Sequence, residues 1–401
     1  MTVWAGAKVG DKVFPLSCPW AKQPVMKQSL VFWVSHAAGG VRAITMDLAE
    51  GLIERGWSVR LMGLYPVPIR EEDRVKGITW DYLVHEKPRG LMAKLRMMMA
   101  LVRWLCRDAT PVMVTTMPAV SVLVPAIARI VRPKARFVII HHVPVQVYHR
   151  WLDRMDGLIG RMASVKAVIS VSKAADASLH AKAPAYRAKC HVITNALPRA
   201  LQEQLRRMRR AEQAIGTPAR IVASGRLTAQ KNLPMLLDAM AGVDAAILDL
   251  IGAGEDEAAL KEQARRLGIE DRVRFLGHLP RPDALAAMAQ GDIFVQVSLY
   301  EGHSIALLEA AALGMPMIVS DVPSQVEGVS MADGTPAGII VPVDDPENLA
   351  LHIRTIIGDE ARLKHWKQLS VALAEQHGFD VMVERYHHLF QALREHAKVD
   401  N

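Results

Sequence analysis

Glu301 and Glu309 stand eight positions apart in "EGHSIALLEAAALGMP", the first beside a glycine and the second inside the apolar run "IALLEAAAL". A buried carboxylate without a partner is costly, so Glu309 needs a cation from the protein or hydroxyls from a ligand. Arg226 and Lys231 lie five residues apart in "VASGRLTAQKN". The planar fork of an arginine and the mobile charge of a lysine can share one diphosphate. Gly39 and Gly40 in "SHAAGGVRAIT" let a phosphate or sugar approach the backbone where a helix begins, and helix starts favour negative charge. His141 closes the apolar run "RFVIIH". Taken together, these residues suit an extended, hydroxyl-rich, anionic molecule. Each also has a plainer reading: an ion pair between Glu309 and a neighbouring Arg, surface cations, a tight turn at the glycines and a core histidine.

The elements that must position these residues can be read from the alternation of short Val- and Ile-rich runs with helix-like segments, the pattern of βαβ units and parallel sheets. "SLVFWVSH", "WSVRLMGL", "PVMVTTM", "RFVIIHHV", "KAVISVS" and "CHVITNA" form one series of strands. A polar, basic stretch at 200–216 precedes a second series: "ARIVASG", "AAILDLIGAG", "RVRFLGHL", "DIFVQVS", "MPMIVSD" and "AGIIVPV". We therefore expect an α/β protein of two doubly wound, Rossmann-like domains facing across a cleft. The expected divisions are an irregular extension over 1–28, a first domain over 29–199, a linker over 200–216 and a second domain over 217–375. A final helix over 376–401 is expected to cross back toward the first domain. In open α/β sheets ligands bind beyond the carboxyl ends of the strands, which is where every candidate residue falls. Ser304 reads as a helix N-cap, so Gly302, His303, Ser304 and Ile305 would offer backbone N–H groups to a ligand. From there to Glu309 the helix rises ~7–8 Å. That span suits a carboxylate holding a ribose diol at one end of a nucleotide while Glu301 meets a sugar at the other.

Composition narrows the classes. The chain has 401 residues, 51% hydrophobic and 22% charged, enough for two cores. No apolar run reaches the ~20 residues that span a bilayer, and the first 28 residues lack the apolar core of a secretory signal. Three scattered cysteines suggest neither a disulfide framework nor a zinc cluster, so a reducing cytoplasm is the expected compartment. The net charge of +8 is unevenly divided: residues 1–199 hold 29 Lys and Arg against 13 Asp and Glu, a balance of +16. An anionic partner for the first half follows: nucleic acid, a membrane surface or an acidic substrate. Aromatic residues at 5% and the lack of a recognisable module argue against nucleic acid. Within that half, residues 89–107 carry Arg89, Arg96, Arg103 and Arg107 beside a broad apolar face, as a core-packed surface helix or one lying on an anionic membrane would. No strand-ending Asp-x-Asp is present to hold a metal against a diphosphate, so we expect no metal and no cofactor. "GAGEDE" lacks the third glycine of a dinucleotide fingerprint.

The spacing Glu-x7-Glu, with "GRLTAQKN", "LIGAGEDEAALK", "VRFLGHLP" and "AGIIVPVDDPENLA", resembles family 4 retaining glycosyltransferases of the GT-B fold. The first domain adds "GGV", "FVIIHHV" and "VISVSKA", and the resemblance covers roughly residues 29–395. It implies transfer of a sugar from a UDP- or GDP-sugar to a hydroxyl of a glycan or lipid-linked acceptor, with retained anomeric configuration. By the same resemblance Arg226 and Lys231 bind the donor diphosphate, Glu309 the ribose and Glu301 the donor sugar, while His141 lies near the reacting sugar. The chain departs from the family pattern in following His141 with His142 and in having Pro323-Ser324 where a Gly-Gly is common. A nucleotide-sugar epimerase of similar architecture and a non-catalytic sugar-nucleotide-binding subunit are the alternative readings.

Overall fold

Strands that are apolar on both faces must be covered on both faces, and two such sheets organise the chain. The computed structural model describes residues 28–34, 39–66, 78–209, 215–376 and 378–399. The expected extension, except Gln28, therefore lies outside the described residues, as do 210–214 of the expected linker. The first sheet contains β1 (Ser29–Val34), β2 (Ser58–Gly63), β3 (Thr79–Tyr82), β4 (Val112–Thr115), β5 (Arg136–His141), β6 (Val165–Ser170) and β7 (Cys190–Val192). They run parallel in the order β3-β2-β1-β4-β5-β6-β7. The second contains β8 (Ala219–Ser224), β9 (Ala246–Ile251), β10 (Val273–Gly277), β11 (Ile293–Gln296), β12 (Met317–Ser320) and β13 (Ile339–Val341). These are also parallel, in the order β10-β9-β8-β11-β12-β13. Winding reverses between β1 and β4 and again between β8 and β11, the two places where a doubly wound sheet opens a crevice. The expected pair of Rossmann-like domains is thus present. The edge strand β3, "TWDY", was not expected, because it has no apolar run to announce it.

Helices Gly39–Glu54 and Phe379–Val399 cover one face of the first sheet, and Gly90–Arg107, Pro118–Val131 and Arg150–Gly160 cover the other. Phe390 meets Phe32 edge-on at 6.4 Å, and Trp104 meets Trp33 edge-on at 4.8 Å, so one large ring from each layer anchors each face. The chain leaves the second domain after helix Glu360–Gln376 and buries Phe379, Val383, Tyr386 and Phe390 in the first. Most of the expected linker before residue 210 is helical. Arg199–Met208 is a helix whose Leu205 is fully buried with Leu197 in the second-domain core, and the Arg209 Nε donates to the Ala312 carbonyl at 2.7 Å. One buried leucine, flanked by half-buried Leu201 and Met208, was enough to seat a helix whose other positions, Ala200 apart, are polar or charged.

Candidate functional site

The carboxyl ends of β8 and β11 diverge at the switch point of the second sheet, and a loop follows each. Gly225, Arg226 and a tight turn at Ala229–Lys231 follow β8; residues 297–304 follow β11. Gly225 has φ +151°, and a β-carbon there would sit 2.6 Å from the Lys231 side chain. The two loops are laced together: the Leu299 N–H donates to the Gln230 carbonyl at 2.8 Å, and Gln230 Nε2 to the Tyr300 carbonyl at 3.0 Å. This lacing brings Lys231 Nζ within 2.6 Å of Glu301 Oε1, while Arg226 remains exposed.

Helix Ile305–Ala312 begins directly beyond Glu301. Ser304 is its N-cap: its hydroxyl accepts from the Leu307 N–H at 3.3 Å and donates to Gln296 Oε1 at 2.9 Å. Helix Gly39–Glu54 of the first domain starts opposite, so a β-carbon on Gly40 would lie 3.7 Å from Ile305. Two helix N-termini thus converge, each bringing unpaired N–H groups and positive dipole ends to one place. The domains touch there through small atoms. A β-carbon on Gly302 would stand 1.7 Å from the His142 carbonyl oxygen, and Asn195 Nδ2 donates to the His303 carbonyl at 3.0 Å. Farther along the interface, the Glu327 carboxylate accepts from the Lys173 and Ala174 N–H groups at 2.7 and 2.8 Å.

Glu309 is buried mid-helix, and it has a partner. Arg281 donates to its Oε1 through Nε at 3.3 Å and Nη2 at 3.1 Å, and reaches Asp47 of the first domain through Nη1. Desolvation raises the Glu309 carboxyl above its ordinary value, and Arg281 opposes that rise. The simple ion-pair reading of Glu309 therefore describes this geometry, with two carboxylates sharing one guanidinium.

His141 is not turned toward the cleft. Its ring is buried in the first domain between Tyr148 Oη at 3.0 Å and Tyr186 Oη at 2.9 Å, and Asp156 Oδ2 accepts from Tyr186 at 2.9 Å. Side chains alternate along a strand, so the next residue faces the other way. His142 meets Gly302 through its carbonyl oxygen; the residue is half-buried, and its Nε2 is sealed from solvent without a hydrogen-bond partner. Burial, then the neighbouring His141, pushes its imidazole down to about 4. The His142 main chain lies at the domain interface, whereas the His141 ring is enclosed within the first domain. Sequence reading missed Asp47, Asn195, Arg281 and Glu327, because each acts through a partner remote in sequence. The structure gathers Gly40, Arg226, Lys231, Glu301, Gly302, His303, Ser304, Ile305 and Glu309 around the meeting of the two helix starts, with Gly39 opening the first-domain helix. Among the described residues no cluster of three or more His, Cys, Asp or Glu could hold a metal ion.

Two family models match the two halves: "Glycosyltransferase Family 4" over residues 38–200 and "Glycosyl transferases group 1" over 206–370. A lipopolysaccharide core biosynthesis glycosyltransferase of Rhizobium meliloti, LpsE, is 31% identical over 168 residues, 41% of this chain and 45% of the relative. The D-rhamnosyltransferase WbpZ of Pseudomonas aeruginosa is 32% identical over 168 residues, 40% and 42% of the two chains. These matches span less than half the length of either relative. Among solved structures, Anabaena HepE in complex with UDP and glucose superposes with a TM-score of 0.73 at 17% identity, over 91% of this chain and 100% of that one. Sucrose-phosphate synthase of Thermosynechococcus elongatus superposes with a TM-score of 0.72 at 18% identity, over 91% and 99%.

Proposed function

We propose, on the premise that the chain belongs to the family 4 glycosyltransferases and has their GT-B fold, that it transfers a glycosyl group from a nucleoside-diphosphate sugar to an acceptor hydroxyl. The convergence of two helix N-termini beside Arg226, Lys231 and Glu301 carries this reading. A diphosphate placed there meets N–H donors, two dipole ends and two cations, which is electrostatic stabilisation of a leaving group without a bound ion. The Lys231–Glu301 pair divides on donor binding, Lys231 turning to a phosphate and Glu301 to a sugar hydroxyl. Glu309 accepts the ribose diol. The bond from the anomeric carbon to the diphosphate breaks, and the acceptor oxygen bonds that carbon from the same face. The acceptor proton passes to the departing diphosphate, so configuration is retained and no side-chain base is required. His142, ending in a sealed and unpartnered Nε2, is our candidate for the imidazole near the sugar, in place of His141.

We place the acceptor on the first-domain side, as a glycan or lipid-linked glycan at the cytoplasmic face of a membrane. The lipopolysaccharide role in the relative's name supports this, as does the +16 balance of residues 1–199. The helix Gly90–Arg107 adds a surface argument: it buries Leu101, Trp104 and Leu105, while Leu91 and Met92 stay 73% and 66% exposed among Arg89, Lys94 and Arg96. No helix among the described residues is long and apolar enough to cross a membrane.

The test is incubation of the purified chain with UDP-, GDP- and ADP-sugars, with and without lipid-linked glycans, read by mass spectrometry and by NMR of the anomeric proton. We expect one donor to give a glycosylated product of unchanged anomeric configuration, in EDTA as well as without it. An isomerised nucleotide sugar with no transfer would make the protein an epimerase. Tight binding without turnover would make it a binding subunit.

A further inference from the structure

A chain of three charges crosses the cleft from Glu309, the proposed ribose contact. Arg281 opens helix Arg281–Ala289 of the second domain, and Nε and Nη2 both donate to Glu309 Oε1, at 3.3 and 3.1 Å. Its Nη1 turns the opposite way and meets both oxygens of Asp47, at 3.4 and 3.3 Å. Asp47 belongs to helix Gly39–Glu54 of the first domain, whose start faces Ile305. Side-chain exposures of 12% for Asp47, 30% for Arg281 and 12% for Glu309 place the triad largely out of water. Two carboxylates share one cation there, and desolvation raises both carboxyls. Such a triad is a poor device for stability, because a buried ion pair returns little beyond the cost of drying its charges. Its better-attested use is to fix one arrangement among several.

The arrangement it fixes concerns the acceptor oxygens of Glu309. A carboxylate offers about four acceptor positions and Arg281 takes two, leaving room for the two hydroxyls of a diol. The plane of the carboxylate is then set by the guanidinium fork. The fork in turn is held from its far side by Asp47, which stays in reach only while the domains are together. We propose that Arg281 and Asp47 are positioning residues that orient the ribose-binding carboxylate when the domains close, so that recognition of ribose and closure are coupled. This rests on the reading of Glu309 as the ribose carboxylate. By linkage, a nucleotide that engages Glu309 favours the closed form by the same factor that closure favours the nucleotide.

Calorimetric titration of the full chain with UDP, GDP and ADP, each against its 2′-deoxy counterpart, reads ribose recognition apart from the diphosphate. The variants are Glu309→Ala, Arg281→Met, Arg281→Lys, Asp47→Asn and the Asp47→Asn/Arg281→Met double, each first checked for a wild-type thermal midpoint. For the nucleotide bound best, we expect a preference for ribose of ~10-fold or more that Glu309→Ala abolishes and that Arg281→Met cuts by ~5-fold or more. Asp47→Asn, which removes no group near the ligand, should lose part of the preference, and the double variant should be no worse than Arg281→Met alone. Arg281→Lys cannot fork to two carboxylates and should behave like Asp47→Asn. If Glu309→Ala abolishes the preference while Asp47→Asn keeps it intact, the coupling is wrong and the ribose reading stands. If Glu309→Ala keeps the preference, the ribose reading itself fails.

Discussion

The pair Lys231–Glu301, 2.6 Å apart, gives the two charges different fates when a donor arrives. Removing Glu301 frees Lys231 for phosphate, so Glu301→Ala should bind free nucleoside diphosphate within ~2-fold of wild type while losing ~100-fold in kcat/KM. Glu309→Ala and Lys231→Ala should instead weaken the free nucleotide and raise donor KM. Equal weakening of nucleotide binding and transfer in Glu301→Ala would mean that the sugar lies elsewhere. His142 supports a prediction about acidity. Its imidazole titrates at about 4 in the folded chain, against ~6.5 when unfolded, so between these values the unfolded chain binds the extra proton. The neutral ring's contribution is therefore complete above the unfolded pKa and is lost as pH falls through that window. Asp47 and Glu309, with raised carboxyls, act with the opposite sign over part of the same range, so the comparison must be with a variant. Urea unfolding at pH 7.5 and pH 5 should lose ~1–2 kcal/mol less in His142→Asn than in wild type. An unchanged difference would mean that the ring takes up its proton freely in the folded state.

At the scale of elements, the site depends on how closely two helix starts approach, and Gly302 sets that distance. A β-carbon 1.7 Å from the His142 carbonyl cannot be accommodated without separating the domains. Gly302→Ala should keep both domains folded yet lose ~100-fold or more in transfer, since a displacement near 1 Å is enough for such a loss. Wild-type turnover in Gly302→Ala would remove domain contact at this residue from the mechanism. Much of this arrangement was legible in the sequence. Val- and Ile-rich runs marked twelve of the strands, and the Ser304 cap with its apolar helix marked the site's position at a strand end. Where legibility ended, the reason was geometric. Arg281 is 28 residues from Glu309 and 234 from Asp47, separations that no local pattern encodes. His141 and His142 differ by one step of a two-residue period, so strand-end position alone could not say which one faces the cleft. Helix Arg199–Met208 was hidden because Leu205 is its one fully buried position and most of the rest is polar or charged.

The whole molecule is electrically divided: +16 over residues 1–199 within a total of +8. Part of that excess is organised. Helix Gly90–Arg107 anchors its C-terminal half through Leu101, Trp104 and Leu105, leaving the first two turns exposed with Leu91, Met92 and Leu95 beside Arg89, Lys94 and Arg96. Since the apolar side chains that would have packed on the sheet point to solvent instead, the ordinary surface-helix reading explains only half of the element. A helix of this kind gains by burying its apolar side chains at a lipid interface, and each cation near an anionic surface adds ~1 kcal/mol. The cations are screened by salt, whereas the apolar contribution is not. Co-sedimentation with anionic liposomes should therefore be strong at low salt and fall as salt rises. Arg96→Glu/Arg103→Glu should weaken it while leaving nucleotide binding in the second domain at the wild-type value. Leu91→Ser/Met92→Ser should weaken it as well, with the salt dependence intact, because the cations remain. Equal partitioning to neutral and anionic vesicles would remove the anionic surface from the proposal, and none to either at low salt would remove the membrane and leave a soluble anionic glycan as the partner of the basic half.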